Sequence, residues 1–123
     1  MDNKRVKYVV IKDKGIVRAI ISDCKYDAFH AFDTKFMLPS TFYLELNGTR
    51  NNEKFNMPHQ FSAVAKLHSE DEWDEEIGKK IALKKLSEKY NESLDRHLAN
   101  MYDVLSSVMD KMKVYLDDRN LLK

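Results

Sequence analysis

The chain opens with alternating polar and apolar positions and closes on a helical period. Residues 5–12 (RVKYVVIK) and 16–22 (IVRAIIS) are rich in Val and Ile and flank Asp13-Lys14-Gly15. Two β-branched runs around a short Gly-containing turn predict a β-hairpin. Alternation puts Val17, Ala19 and Ile21 on one face of its second strand and Arg18 and Ile20 on the other. Tyr26, Phe29, Phe32 and Phe36 then recur every three or four residues, which predicts a short helix ended by Pro39. Residues 41–46 (TFYLEL) alternate again, with Phe42, Leu44 and Leu46 on one side. A long loop over 47–60 follows the Asn47-Gly48 turn signal, and 61–67 (FSAVAKL) is the fourth predicted strand.

No proline occurs beyond Pro58. Apolar residues fall at 77, 81, 83, 86, 90, 94, 98, 101, 105, 108, 112 and 116, steps of three and four that predict an amphipathic helix with Ile77 and Ile81 on its buried stripe. From 94 to 112 the steps run 4, 3, 4, 3, 4, a heptad seam. A helix over 74–118 would be about 68 Å long at 1.5 Å per residue. It must either break, near Asn91 or Asn100, into an antiparallel pair covering the sheet, or pack its second half on another subunit; the second is preferred. The predicted fold class is α+β. An antiparallel sheet of about four strands with a short helix is followed by a long C-terminal helix used in oligomerisation. The 123 residues form one domain, with 1–68 as the sheet half and 69–123 as the helical half.

Composition changes this picture little. A hydrophobic share of 43% in 123 residues supports one core. No apolar run approaches the roughly 20 residues of a membrane span, and the N-terminus lacks the pattern of a secretory signal. An intracellular protein without membrane contact is expected. Cys24 is the only cysteine, which excludes an internal disulfide and argues against a cysteine-based zinc site. The net charge of +1 conceals an asymmetry: residues 1–68 hold eleven basic and seven acidic side chains, and 69–123 hold ten and thirteen. An anionic partner is therefore expected on the first half.

Glu70, Asp71, Glu72, Asp74, Glu75 and Glu76 crowd together just before Lys79, Lys80, Lys84 and Lys85. Carboxylates at a helix N-terminus meet free N–H groups and the positive end of the dipole, worth about 0.3–1 kcal/mol each. Asp74 is placed to be the N-cap, Trp73 to pack back as a staple, and Glu75–Lys79 and Glu76–Lys80 to pair across one turn. The block thus reads as a helix start. His68 with Asp71 or Glu72 could ligate a metal but has no recognised spacing; no metal site and no cofactor are predicted.

Catalytic signatures are lacking. Only Gly15, Gly48 and Gly78 occur, so no phosphate-cradling loop exists. Cys24 and His30 could form a dyad, but a core thiol and a core or interface histidine are the preferred readings, and His97, near the seam, reads as an interface histidine. An enzyme is not predicted. A nucleotide binder needs aromatic faces, cations for phosphates, and Asn or acidic groups for hydroxyls. Candidate ligand-binding residues are Arg50, Lys54 and His59 in the long loop, Tyr43 and Arg18 pointing away from the apolar strand faces, and Arg96 with Asn100 on one helix face. The competing reading of each is a solvated surface residue.

The stretch VAKLHSEDEWDEEIGKKIA also resembles a strand-to-helix motif of small phage and prophage proteins of Gram-positive bacteria, in which V-x-K-C is followed by D-E-F-D and a Gly four residues on. Val64, Lys66, Asp71, Glu72, Trp73, Asp74 and Gly78 match it. Leu67 stands where cysteine is usual and Trp73 where phenylalanine is usual. The match covers roughly 40 residues, 41–86. In length, N-terminal strands and long C-terminal helix the chain is similar to the anti-Thoeris sponge proteins. That resemblance implies capture, without degradation, of a cyclic ADP-ribose isomer by a homo-oligomer in the host bacterial cytoplasm. It carries no ligand residue over to this chain. The alternatives are a protein-binding inhibitor of a host defence nuclease, of the anti-CRISPR type, and a nucleic-acid binder. The last is disfavoured because no dense basic stripe exists.

Overall fold

The computed structural model describes residues 1–36, 56–68 and 72–121, with the backbone alone over 32–36. Chain order is β1 (Lys7–Ile11), β2 (Ile16–Ile21), α1 (Asp27–Phe36), β3 (Phe61–Lys66) and α2 (Glu75–Asp118). The protein is α+β, as expected. Among the described residues the antiparallel sheet has three strands, not four, in the order β1-β2-β3; the strand predicted at 41–46 lies outside them.

The hairpin turns through a 3-10 turn at Lys12–Lys14 and closes on Gly15, whose φ of 63° is left-handed backbone that glycine adopts without penalty. Its carbonyl accepts from Leu67 N–H at 2.8 Å, which sets the register of β3. Val17 then pairs with Ala65, Ala19 with Ala63 and Ile21 with Phe61. Val17, Ala19 and Ile21 are buried and Arg18 is exposed, as the alternation predicts.

Helix α2 packs across β2 and β3 on that buried face. Asp74 caps it: its side chain accepts from Glu76 N–H at 3.0 Å and Ile77 N–H at 3.2 Å. A cap of this kind is worth about 1 kcal/mol. Lys79 reaches Glu75 at 3.5 Å and also Glu76 at 3.8 Å. Trp73 packs against the core.

The helix runs unbroken for 44 residues, about 66 Å, so the antiparallel helix pair is not formed. Its buried stripe is Gly78, Ala82, Leu86, Tyr90, Ser93, His97 and Met101. Ile77 and Ile81 are 51% and 41% exposed, against expectation. The reason is close approach. The sheet presents Ala19, Ala63 and Ala65, and a Cβ on Gly78 would lie 2.7 Å from Val17 Cγ2. Small residues on both surfaces draw the helix in and turn the isoleucines to its flanks. Further along, Leu86 and Met101 are fully buried, each worth roughly 1.5–3 kcal/mol. His97 is buried within this chain, its Nδ1–H donating to the Ser93 carbonyl at 2.6 Å.

A polar tie joins the remaining parts. Asp27, in the first turn of α1, accepts from Arg5 Nη1 at 2.8 Å and from Tyr90 Oη–H at 2.7 Å. Arg5 also donates to the Ser22 and Asp23 carbonyls. Burial opposes charge on Arg5, but the hydrogen bond and charge of Asp27 outweigh it and raise the guanidinium pKa. Burial, then Asp27, raises the Tyr90 phenol. Burial, then the charge of Asp27, pushes the Cys24 thiol up to about 11.

Candidate functional site

The face of the sheet turned away from α2 is built by the register. Lys7, Ile20 and Ser62 form one row, Val9, Arg18 and Val64 the next, and Ile11, Ile16 and Lys66 the third. Lys7, Arg18 and Lys66 therefore lie on a diagonal, flanked on both sides by aliphatic residues and with no acidic side chain in those nine positions. All three cations are exposed. Val9 and Ile11 are 46% and 41% exposed.

At the outer edge of β3 this face meets helix α2. The Gly15–Leu67 hydrogen bond fixes which residues of β3 turn their backbone inward. By the alternation of antiparallel pairs, Ser62 and Val64 turn their carbonyls outward. Lys89 Nζ donates to Ser62 O at 3.0 Å and Lys85 Nζ to Val64 O at 3.3 Å. No described strand pairs with this edge, and the two lysines, four residues apart on one helix face, cover its carbonyls. They also bring two ammonium groups beside Arg18. Arg18, Ser62, Val64, Lys85, Glu88, Lys89 and Glu92 line an open cleft of about 580 Å³. That volume lies in the range of small-molecule sites, roughly 300–1,000 Å³.

The cleft combines three cations with two carboxylates. The cations suit a phosphate or pyrophosphate, with Arg18 able to grip two oxygens at once. Glu88 and Glu92 can accept from sugar hydroxyls. Among the described residues no aromatic side chain lines it, so nothing there supplies a stacking face for a base.

Of the residues singled out from the sequence, only Arg18 belongs to this cleft. Tyr43, Arg50 and Lys54 lie outside the described residues. His59 is exposed ahead of β3, its Nε2 3.5 Å from Asp23 Oδ1. Arg96 extends the helix line of Lys85, Lys89 and Glu92 by one turn and is exposed, while Asn100 is half-buried one turn further on. Lys85 and Lys89 were missed because their partners lie 21 and 27 residues away on β3. Their four-residue spacing is the only trace in the sequence. Cys24 does not pair with His30: the thiol is fully buried beside Arg5 and the Ile21 and Ser22 carbonyls, and His30 is exposed. Among the described residues no group of three or more His, Cys, Asp or Glu could hold a metal ion, and no helix is long and apolar enough to cross a membrane.

Comparison with known proteins adds no relative: no family model, curated protein or solved structure matches the chain.

Proposed function

We propose that the protein captures an anionic small molecule, a cyclic nucleotide of the cyclic ADP-ribose type, and holds it without turnover. The observation that carries this is the convergence of Arg18, Lys85 and Lys89 with Glu88 and Glu92 on one open cleft. Cations for phosphates and carboxylates for ribose hydroxyls line the same cleft, Arg18 from strand β2 and the others from helix α2. The resemblance seen in the sequence supplies the biological setting: a phage-encoded anti-defence sponge, acting as a homo-oligomer in the cytoplasm of a bacterial host.

Titration calorimetry with cyclic ADP-ribose isomers, cyclic dinucleotides and inorganic phosphate tests the reading. A cyclic nucleotide binds, phosphate alone binds far more weakly, and the nucleotide is recovered intact on chromatography. Arg18→Ala and Lys89→Ala each weaken binding about tenfold or more, the worth of one charge-assisted hydrogen bond of about 1.5–3 kcal/mol. Full affinity in both variants removes the cleft from consideration. If no small anion binds, the aliphatic outer face with its cation diagonal favours the protein-binding inhibitor instead.

A further inference from the structure

The last residue of α2 that the protein buries is Met101. From there to Asp118 the helix continues for 17 residues, about 25 Å, without another buried residue. Val104 and Leu105 still touch the core. Past them Val108, Met109, Met112 and Tyr115 are 48%, 68%, 56% and 59% exposed, and Tyr102 is 69% exposed. Leu105, Val108, Met112 and Tyr115 step by 3, 4 and 3, with Met109 in the adjoining position. Asp103, Asp110 and Asp117 recur every seven residues on the opposite side.

A segment of this length is marginal as a free helix in water. Its sequence makes matters worse, with β-branched Val104, Val108 and Val114 and paired serines at 106 and 107. The last turn has no basic residue and ends in Asp117 and Asp118, at the negative end of the dipole. Extension of an already packed helix spares it the cost of nucleation, but a contact outside the protomer would stabilise it further.

We infer that the segment beyond Met101 is a self-association surface and that its occupant is the same segment of a second copy. Three observations select a second copy. The 3-4 apolar spacing is that of a helix seam, and two identical helices present identical seams to one another. The acidic residues sit on the far side, so stripe-to-stripe contact keeps like charges apart. The area allows a weak pair: at roughly 200 Å² for a fully exposed large side chain, the four stripe residues and the flanking Tyr102 offer at most about 600 Å² per chain. A pair buries at most about 1,200 Å², the lower end of specific interfaces. An interface of that size is concentration-dependent, and the segment's helicity should rise and fall with it. This deepens the oligomer part of the proposed function and involves no ligand.

The test uses the full chain without ligand, in analytical ultracentrifugation and circular dichroism from about 1 to 100 μM. The expected result is a reversible monomer–dimer transition, with up to roughly a third of the helical signal lost on dilution. The double variant Val108→Glu, Met112→Glu stays monomeric at every concentration. Its half-exposed positions leave the core's unfolding cooperative, so loss of assembly is separable from loss of fold. Asp110→Lys, on the opposite side, still dimerises. A wild-type monomer at 100 μM, or a double variant that still assembles, overturns the inference. Failure here leaves the anion cleft standing, and absence of nucleotide binding leaves the helix seam standing.

Discussion

Replacing Gly78 by alanine sets two effects of known sign against each other. In an exposed helix interior, Gly→Ala stabilises by about 1 kcal/mol through backbone entropy. At this site the new methyl would lie 2.7 Å from Val17 Cγ2 and 3.4 Å from Val17 Cβ. Val17 is 1% exposed, and its branched side chain is restricted at χ1 and hemmed in by the core, so it swings aside only at a cost. Forcing a methyl into such a contact costs about 1–3 kcal/mol. The net expectation for Gly78→Ala is anything from no gain to destabilisation by about 2 kcal/mol, against the stabilisation expected at an ordinary helix glycine. Val17→Ala opens the space and costs stability by itself. In that background Gly78→Ala should stabilise, recovering most of the 1 kcal/mol of helix propensity. The double-mutant cycle is measured by urea denaturation followed at 222 nm, at one fixed protein concentration because association also contributes to apparent stability. Should Gly78→Ala stabilise the wild-type background by the full propensity value, the close approach of α2 to the sheet is wrong. So is the account of why Ile77 and Ile81 face outward.

Two further expectations concern the polar tie. Tyr90→Phe removes a hydrogen bond to a carboxylate and should cost about 1.5–3 kcal/mol. The same change in an Asp27→Asn background should cost clearly less, and equal costs in both backgrounds would show that the two groups are not coupled. The Cys24 thiol and the Tyr90 phenol both keep their protons to higher pH in the folded chain than in the unfolded one. Their contribution to stability is therefore complete below about pH 9 and declines above it. Cys24, pushed up to about 11 from 9.0, contributes over pH 9–11 and Tyr90 above pH 10. The thiol's share is a loss of about 1–2 kcal/mol across that window. Cys24→Ala should flatten the decline between pH 9 and 11 in denaturant titrations; a slope parallel to wild type contradicts the assignment.

Local chemistry was legible in the chain and distant pairing was not. Asp74 could be read as a cap because its work is done two and three residues away. The two faces of β2 followed from alternation alone. Ile77 and Ile81 misled because hydrophobic period marks the apolar side of a helix but not how near the sheet will stand. Gly78 and Ala82, which set that distance, carry almost no hydrophobic signal. The tie of Asp27 to Tyr90 spans 63 residues and that of Arg5 to Asp27 spans 22, with nothing in either neighbourhood to announce them. Lys85 and Lys89 drew no reading as site residues, because the β3 carbonyls they meet lie 21 and 27 residues away in the chain.

The cleft and the seam occupy the same helix but different lengths of it. From Lys89 to Val108 is 19 residues, about 28 Å along the axis. That is more than three Debye lengths at physiological salt, each about 8 Å. Charge captured at the cleft is screened from the seam. Coupling between binding and assembly then needs a route other than charge, and a partner chain that reaches the cleft supplies one. Binding stoichiometry decides this. One ligand per chain, with equal affinity in the assembled wild type and in the monomeric Val108→Glu, Met112→Glu variant, makes each protomer a complete trap. One ligand per two chains, lost in that variant, makes the cleft half a site that the seam exists to complete.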